Sequence, residues 1–262
     1  MTGKVVLVVG ASSGIGLAAA TAFASREDAV VLVSRSGEAL DAAEKTCRAV
    51  GAAAVDVIVD DISDPGGAGR IVAKTLELHG RIDVVVHSAT VMGYSTVETM
   101  PAEVFTAVVD TAIHGTLHLA QAVLPVLRRQ HTGVFVGVNS LLGSITVPHM
   151  GAYATAKWGQ RAVLRTMQQE TRDEPGVHVC IVGPGSINTP VYDQAANHTG
   201  RATRPPVLSP TGSPPRSSAW PTGRDGTSRC RSAPPTHSSS RRSVCCRGFV
   251  TDSSGPCSGS RR

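Results

Sequence analysis

Ser140, Tyr153 and Lys157 are the side chains whose types and spacing could carry proton chemistry. Ser140 stands thirteen residues before Tyr153, and Tyr153 four before Lys157. On a helix, residues four apart share one face. A lysine ammonium beside a phenol favours the phenolate, so this pairing predicts a lowered tyrosine pKa. A serine hydroxyl at the same point could polarise a carbonyl, and together the three form general acid–base equipment for interconverting a carbonyl and an alcohol. Y-x-x-x-K alone is common. The upstream serine and a glycine-rich turn near the N-terminus give it weight.

Two elements must hold this set. The apolar, β-branched segment 133–139 reads as a buried parallel strand that delivers Ser140 at its C-terminal end. The run from Ala152 reads as a helix carrying Tyr153 and Lys157. Strand-like and helix-like segments alternate along the whole first part of the chain. Strands are predicted near 5–9, 30–34, 54–59, 83–87, 134–138 and 177–182, and helices near 15–25, 38–50, 67–79, 101–129 (broken into two) and 153–172. This alternation predicts an α/β fold, a doubly wound parallel sheet with right-handed crossovers. The first strand leads into V-V-G-A-S-S-G-I-G, with Gly10, Gly14 and Gly16 between it and an Ala-rich helix. Glycines there let the backbone turn sharply and approach a pyrophosphate seated on the free N–H groups of the helix start.

G-A-S-S-G-I-G, D-I-S-D at 61–64, S-A at 88–89, Ser140, Y-A-T-A-K at 153–157 and G-P-G-S-I-N-T-P at 183–190 together resemble the short-chain dehydrogenase/reductases, collinearly over about residues 3–200. The resemblance implies a Rossmann-type NAD(P)-binding domain over 1–204. It implies Tyr153 as proton donor and acceptor, Lys157 lowering its pKa and binding the nicotinamide ribose, and Ser140 holding the substrate oxygen. Gly10, Ser12, Ser13, Gly14, Ile15 and Gly16 would cradle the pyrophosphate. Asp61 and Ile62 would lie against the adenine, Ala89 along the dinucleotide, and Pro184, Gly185 and Thr189 near the nicotinamide. A homo-oligomer is expected by the same analogy.

Cofactor choice has a physical argument. The second strand ends V-L-V-S-R, with Ser34 where an acid would bind a ribose 2′-hydroxyl and Arg35 next to it. No carboxylate there repels a 2′-phosphate and a guanidinium pairs well with one, so NADP is favoured over NAD. Two stretches depart from the family pattern. H-S-A-T (87–90) replaces N-N-A-G, and Ala112 stands where the family has an asparagine thought to hold a proton-relaying water, a change expected to slow turnover. His114 nearby reads as an incidental polar contact. Leu141, Leu142, His149, Met150, Met92 and Tyr94 would surround the substrate, and their character favours a small, mostly apolar alcohol or carbonyl.

The net charge of +5 misleads as a whole-chain number. Residues 201–262 hold 11 Arg against 2 Asp, whereas residues 1–200 hold 14 Lys and Arg against 18 Asp and Glu. The basic character belongs to a Ser/Pro/Arg/Gly-rich, low-complexity stretch over 205–262 and gives no support to a nucleic-acid role for 1–204. Read one frame over, residues 208–228 permit a Pro-led, Ala/Val-rich helix, the element the family pattern needs next. A frameshift between about 204 and 209 is therefore expected, leaving the last helix and strand of the fold missing; a true basic tail is the alternative. No signal peptide, membrane span or metal site is expected. Cys47 and Cys180 read as core residues of a reduced, cytoplasmic protein. The expected function is NADP-dependent interconversion of an alcohol and a carbonyl; the alternative is an impaired, NADP-binding relative, suggested by Ala112, Thr90 and the tail.

Overall fold

Runs of valine dictate the sheet. In the computed structural model, which describes residues 3–199, the strands are Val5–Val9 (β1), Ala29–Ser34 (β2), Ala54–Val59 (β3), Val84–His87 (β4), Gly93–Tyr94 (β5), Gly133–Val138 (β6), Val177–Val182 (β7) and Ala196–Asn197 (β8). Six of them form one parallel sheet in the order β3-β2-β1-β4-β6-β7. All five residues of β1 are buried. Such a strand needs helices on both faces, which is why its sequence is a continuous apolar run rather than an alternating one. Leu7 and Val9 join Val31, Val33, Val85 and Phe135 in one core layer. Val6 and Val8 join Val30, Leu32 and Val86 in the other. Each fully buried side chain of this size contributes about 1.5–3 kcal/mol.

The helices are Gly14–Ala24 (α1), Gly37–Ala49 (α2), Gly67–His79 (α3), Ala102–Val109 (α4), Gly115–Gln130 (α5) and Gly151–Glu170 (α6). α1 and α2 cover the Val6/Val8 face with Ala20, Phe23, Leu40 and Cys47, and Cys180 packs half-buried against that layer. α3, α5 and α6 cover the other with Ile71, Leu119, Val123, Leu164 and Met167. Ser36 caps α2 by accepting from the Ala39 N–H, and Gly80 ends α3 in the left-handed conformation.

All six predicted strands form, within a residue of the expected bounds. The predicted break within 101–129 is a π-helical turn at Asp110–His114 that joins α4 to α5, with the Gly115 N–H bonded to the Asp110 carbonyl. The backbone stays helical through it, so one extra residue is absorbed instead of a chain break. Sequence periodicity did not reveal the two-stranded β5–β8 pair or the bridge between Ser95 and Met150. Through them the segment after β7 is tied to the segment after β4. The expected tail, its frameshift and the missing last helix and strand lie outside the described residues. Among the described residues no helix is long and apolar enough to cross a membrane.

Candidate active site

Strand order reverses beside β1, which has β2 on one side and β4 on the other. At such a point the loops leaving the strand C-termini diverge and leave a crevice. A cavity of about 750 Å³ lies there.

The glycine turn forms one wall. Gly10 has φ +87° and Gly14 φ +56°, a region that side chains disfavour. A Cβ on Gly10 would lie 2.5 Å from the Ala89 nitrogen, and one on Gly14 would lie 2.9 Å from Thr189 Cγ2. The turn is thus pressed between the ends of β4 and β7. Ser13 is the N-cap of α1, no acidic residue occupies the first turn, and no side chain caps it. First-turn N–H groups have no acceptor within their own helix, so this end suits an anion such as a pyrophosphate. Gly16 is not on the cavity wall. It is buried, and a Cβ there would lie 2.0 Å from the Gly10 carbonyl oxygen, so it permits α1 to close on the turn.

Gly10, Ser12, Ser13, Gly14, Ile15, Ser34, Arg35, Asp61, Ile62, Ala89, Ser140, Tyr153, Lys157, Pro184, Gly185 and Thr189 all line this one cavity. Nothing lies within 4 Å of where a Gly185 Cβ would be, so that wall is open. At the far end Arg35 reaches to 3.9 Å from the Asp61 carboxylate, both largely solvated. Asp61 Oδ1 is occupied by the Ser63 N–H and hydroxyl, while Arg70 holds Asp60 and Asp64 and keeps both carboxyls below the usual carboxylate range. Arg35 is therefore the cation best placed to meet a ligand at the end of β2.

At the other end the proton-bearing set converges from two elements. Ser140 leaves β6 and its Oγ accepts the Leu142 N–H at 3.2 Å. Tyr153 and Lys157 come from the first turns of α6, with the lysine Nζ 5.6 Å from the phenol ring centre. Tyr153 is 8% exposed and Lys157 2%. Burial pushes the Tyr153 phenol up to about 12, opposed in part by the neighbouring Ser140 hydroxyl. It pulls Lys157 down to about 7. The predicted lowering of the tyrosine pKa by its lysine neighbour is thus not what this structure gives. The expectation weighed the charge of the lysine alone, and in a sealed site desolvation of both groups outweighs it.

Beneath the lysine lies a polar layer that sequence inspection missed. Lys157 Nζ donates to the Val138 carbonyl (3.0 Å) and to Gln160 Oε1 (3.1 Å). Asn139 Nδ2 donates to the same Gln160 oxygen (3.0 Å) and to the Lys157 carbonyl (2.8 Å). Gln160 Nε2 donates to Thr116 Oγ1, whose own hydroxyl donates to the Ala112 carbonyl. Ala112 itself packs with Val108, Ala152 and Ala156. His87 shares this layer without joining the hydrogen bonds. Both its ring nitrogens are buried and lack a partner among the described residues, and burial, then the Lys157 charge, pull its pKa to about 3. It is a neutral imidazole. Residues from four elements build the layer, and only their proximity in space reveals it.

Leu141, Leu142, Met92 and Met150 line the cavity as expected, joined by Ile145, Val147, Val191 and Tyr192, which were not foreseen. His149 does not line it; with φ +67° its carbonyl accepts from Ser95 instead. Tyr94 packs behind the wall against Tyr153. His114 makes a half-exposed contact with Asp110 at 2.8 Å, the incidental role expected.

A glycine-turn cleft joined to a Ser/Tyr/Lys set, with the tyrosine and lysine buried, defines a nucleotide-dependent oxidoreductase class. Residues 4–199 match the family model for short chain dehydrogenase, and the chain belongs to that family, the short-chain dehydrogenase/reductases, which are NAD(P)-dependent oxidoreductases acting on CH–OH groups. It is 32% identical over 195 residues to sepiapterin reductase from Chlorobaculum tepidum, covering 72% of this chain and 79% of the relative. The fold resembles a Burkholderia phymatum short-chain dehydrogenase/reductase solved with NAD (TM-score 0.71, 26% identity, 73% of this chain and 69% of that one). It also resembles an alcohol dehydrogenase from Thermococcus sibiricus solved with 5-hydroxy-NADP (TM-score 0.70, 28% identity, 79% and 85%).

Proposed function

We propose that this chain interconverts an alcohol and a carbonyl on a small, mostly apolar substrate, with NADP preferred and Tyr153 exchanging the proton. The observation that carries the reading is the opening of Ser140, Tyr153 and Lys157 into the same cavity as the glycine turn. The residues present fit a dinucleotide: two glycines with positive φ, an uncapped helix start, and Arg35 with no carboxylate on the end of β2. When bound, the nicotinamide supplies or takes up the hydride equivalent. The chain's own residues do the rest. The Ser140 hydroxyl holds the substrate oxygen, Tyr153 gives its proton to that oxygen in reduction and regains it in oxidation, and Lys157 fixes the local charge. Met92, Leu142, Ile145 and Val147 exclude water and suit an apolar substituent.

Consumption of NADPH across a panel of apolar ketones and aldehydes tests the reading. Turnover with at least one is expected. Tight NADPH binding with no turnover on any would instead favour an impaired relative, a reading that the apolar packing of Ala112 supports. Arg35→Ala is expected to weaken NADPH binding by about tenfold and leave NADH binding nearly unchanged, as loss of one charge-assisted pair would do. Equal losses for both cofactors would contradict the NADP preference. Exposed Leu117 and Trp158 on α5 and α6 support a homo-oligomer, which sedimentation would test.

A further inference from the structure

Resting on the oxidoreductase reading above, we infer that Gln160 is a positioning residue for the proton transfer: its side-chain amide fixes the Lys157 ammonium beside Tyr153 and ties it to the strand end that presents Ser140.

Gln160 breaks the pattern of its own helix. Ala156, Gln160, Leu164 and Met167 follow one another at helical spacing along the buried stripe of α6, and Gln160 is fully buried. An apolar side chain would satisfy that stripe, and a buried amide costs stability unless hydrogen bonds compensate it. The bonds it makes lead to the site. Its Oε1 accepts from Lys157 Nζ at 3.1 Å and from Asn139 Nδ2 at 3.0 Å, and its Nε2 donates to Thr116 Oγ1 at 3.1 Å. Asn139 immediately precedes Ser140. One amide oxygen therefore joins α6, which carries the tyrosine and lysine, to the end of β6, which delivers the serine.

Proton counting fixes which way this amide faces. Thr116 spends its single hydroxyl proton on the Ala112 carbonyl at 2.6 Å, so its oxygen accepts from Gln160 and the glutamine nitrogen must face it. The amide oxygen is thereby left for the lysine. An ammonium has three protons and no acceptor. The Val138 carbonyl takes one at 3.0 Å and Gln160 the second, both inside the fold, so the third is left for the cavity that Lys157 lines with Tyr153. With the Val138 carbonyl alone, the flexible four-carbon stem could carry the charge away from the phenol. The charged and titratable groups around this layer are Tyr153 and Arg161 on α6, His87 on β4, Tyr94 on β5, Tyr192 after β7, and Asp110, His114 and His118 on the π-helical turn and α5. Arg161 is bonded to the Gly143 carbonyl, Asp110 to His114, and His118 to the Ile62 carbonyl. Among the described residues, Gln160 is the side chain that accepts from the Lys157 ammonium.

The test compares Gln160→Leu, which removes the acceptor, with Gln160→Glu, which keeps it and lets the Thr116 hydroxyl turn to the second carboxylate oxygen. The chain has four lysines, so NMR of isotope-labelled lysine side chains can follow Lys157, identified by the signal lost in Lys157→Met. In the free protein its titration midpoint is expected about one pH unit lower in Gln160→Leu, because the charged form loses an acceptor, and at least about one unit higher in Gln160→Glu, because a carboxylate adds opposite charge. A role confined to packing would not move the two in opposite directions. With NADPH and an apolar ketone, kcat is expected to fall about tenfold in Gln160→Leu and to return to within about threefold of wild type in Gln160→Glu. An unmoved midpoint or an unchanged kcat in Gln160→Leu would overturn the proposal. Should that variant not fold, a Lys157 midpoint left unraised by Gln160→Glu would overturn it equally. A wild-type chain that turns over no ketone would instead remove the oxidoreductase reading, and the titration would still decide whether Gln160 holds the lysine.

Discussion

Lys157 is an ammonium enclosed by protein on every side but the cavity, and enclosure favours its neutral form. Its pKa falls from 10.5 to about 7. In the unfolded chain the lysine stays protonated up to its ordinary value. Between pH 7 and 10.5 the unfolded state therefore binds more protons than the folded one, and this group's contribution to stability rises with pH, being lost as pH falls through 7. From pH 7 to 9 the gain from this residue is about 2 kcal/mol. Urea unfolding of wild type and Lys157→Met at those two pH values should show the rise in the first and lose it in the second; an identical rise in both would contradict the burial argument. Tyr153 has the opposite sign. Its phenol is raised from 10.0 to about 12, so alcohol oxidation, which needs the phenolate, should keep rising with pH well above neutrality. The residue types and their spacing were legible in the sequence. The direction of these shifts was not, because it depends on how much water the finished fold removes.

At the scale of elements, apolar runs announced every strand of the main sheet, and the glycines announced the turn before α1. The π-helical turn was hidden because it leaves hydrophobic periodicity nearly intact on either side. The β5–β8 pair was hidden because two-residue strands carry no period at all. Gly16 shows how tightly one element depends on another. Gly16→Ala would set a methyl against the Gly10 carbonyl. This overpacking should cost about 1–3 kcal/mol of stability and weaken dinucleotide binding together, measured by denaturant unfolding and NADPH titration. A stable variant with full affinity would show that α1 can shift freely. His87 belongs to this scale too, since it is the unpaired member of the layer between β4, α5 and α6. Its lowered pKa makes it neutral in the fold and chargeable when unfolded, so its contribution is present above pH 6.5 and is lost as pH falls towards about 3. His87→Leu should therefore lose roughly 1.5 kcal/mol less stability than wild type between pH 6.5 and 5. A variant as acid-sensitive as wild type would contradict the assignment of His87 as a buried neutral ring.

Across the whole molecule, strand order creates the cleft, and the cleft gathers residues from 9 to 194 into one wall. The described part carries the acidic share of the charge, so the basic pI of about 9.1 says nothing about what this cleft binds. Family membership and cleft position could be read from collinear motifs. The tie of the segment after β7 back to β5 through β8, with Tyr192 packed beside Tyr153, could not be read from the motifs. The account as a whole depends on that phenol being the group that exchanges the proton. Turnover of an apolar ketone with NADPH by Tyr153→Phe, measured beside NADPH affinity, tests this most directly. Loss of turnover by at least about a hundredfold is expected, the scale of a general acid, with NADPH affinity kept. A Tyr153→Phe chain as active as wild type would contradict the account.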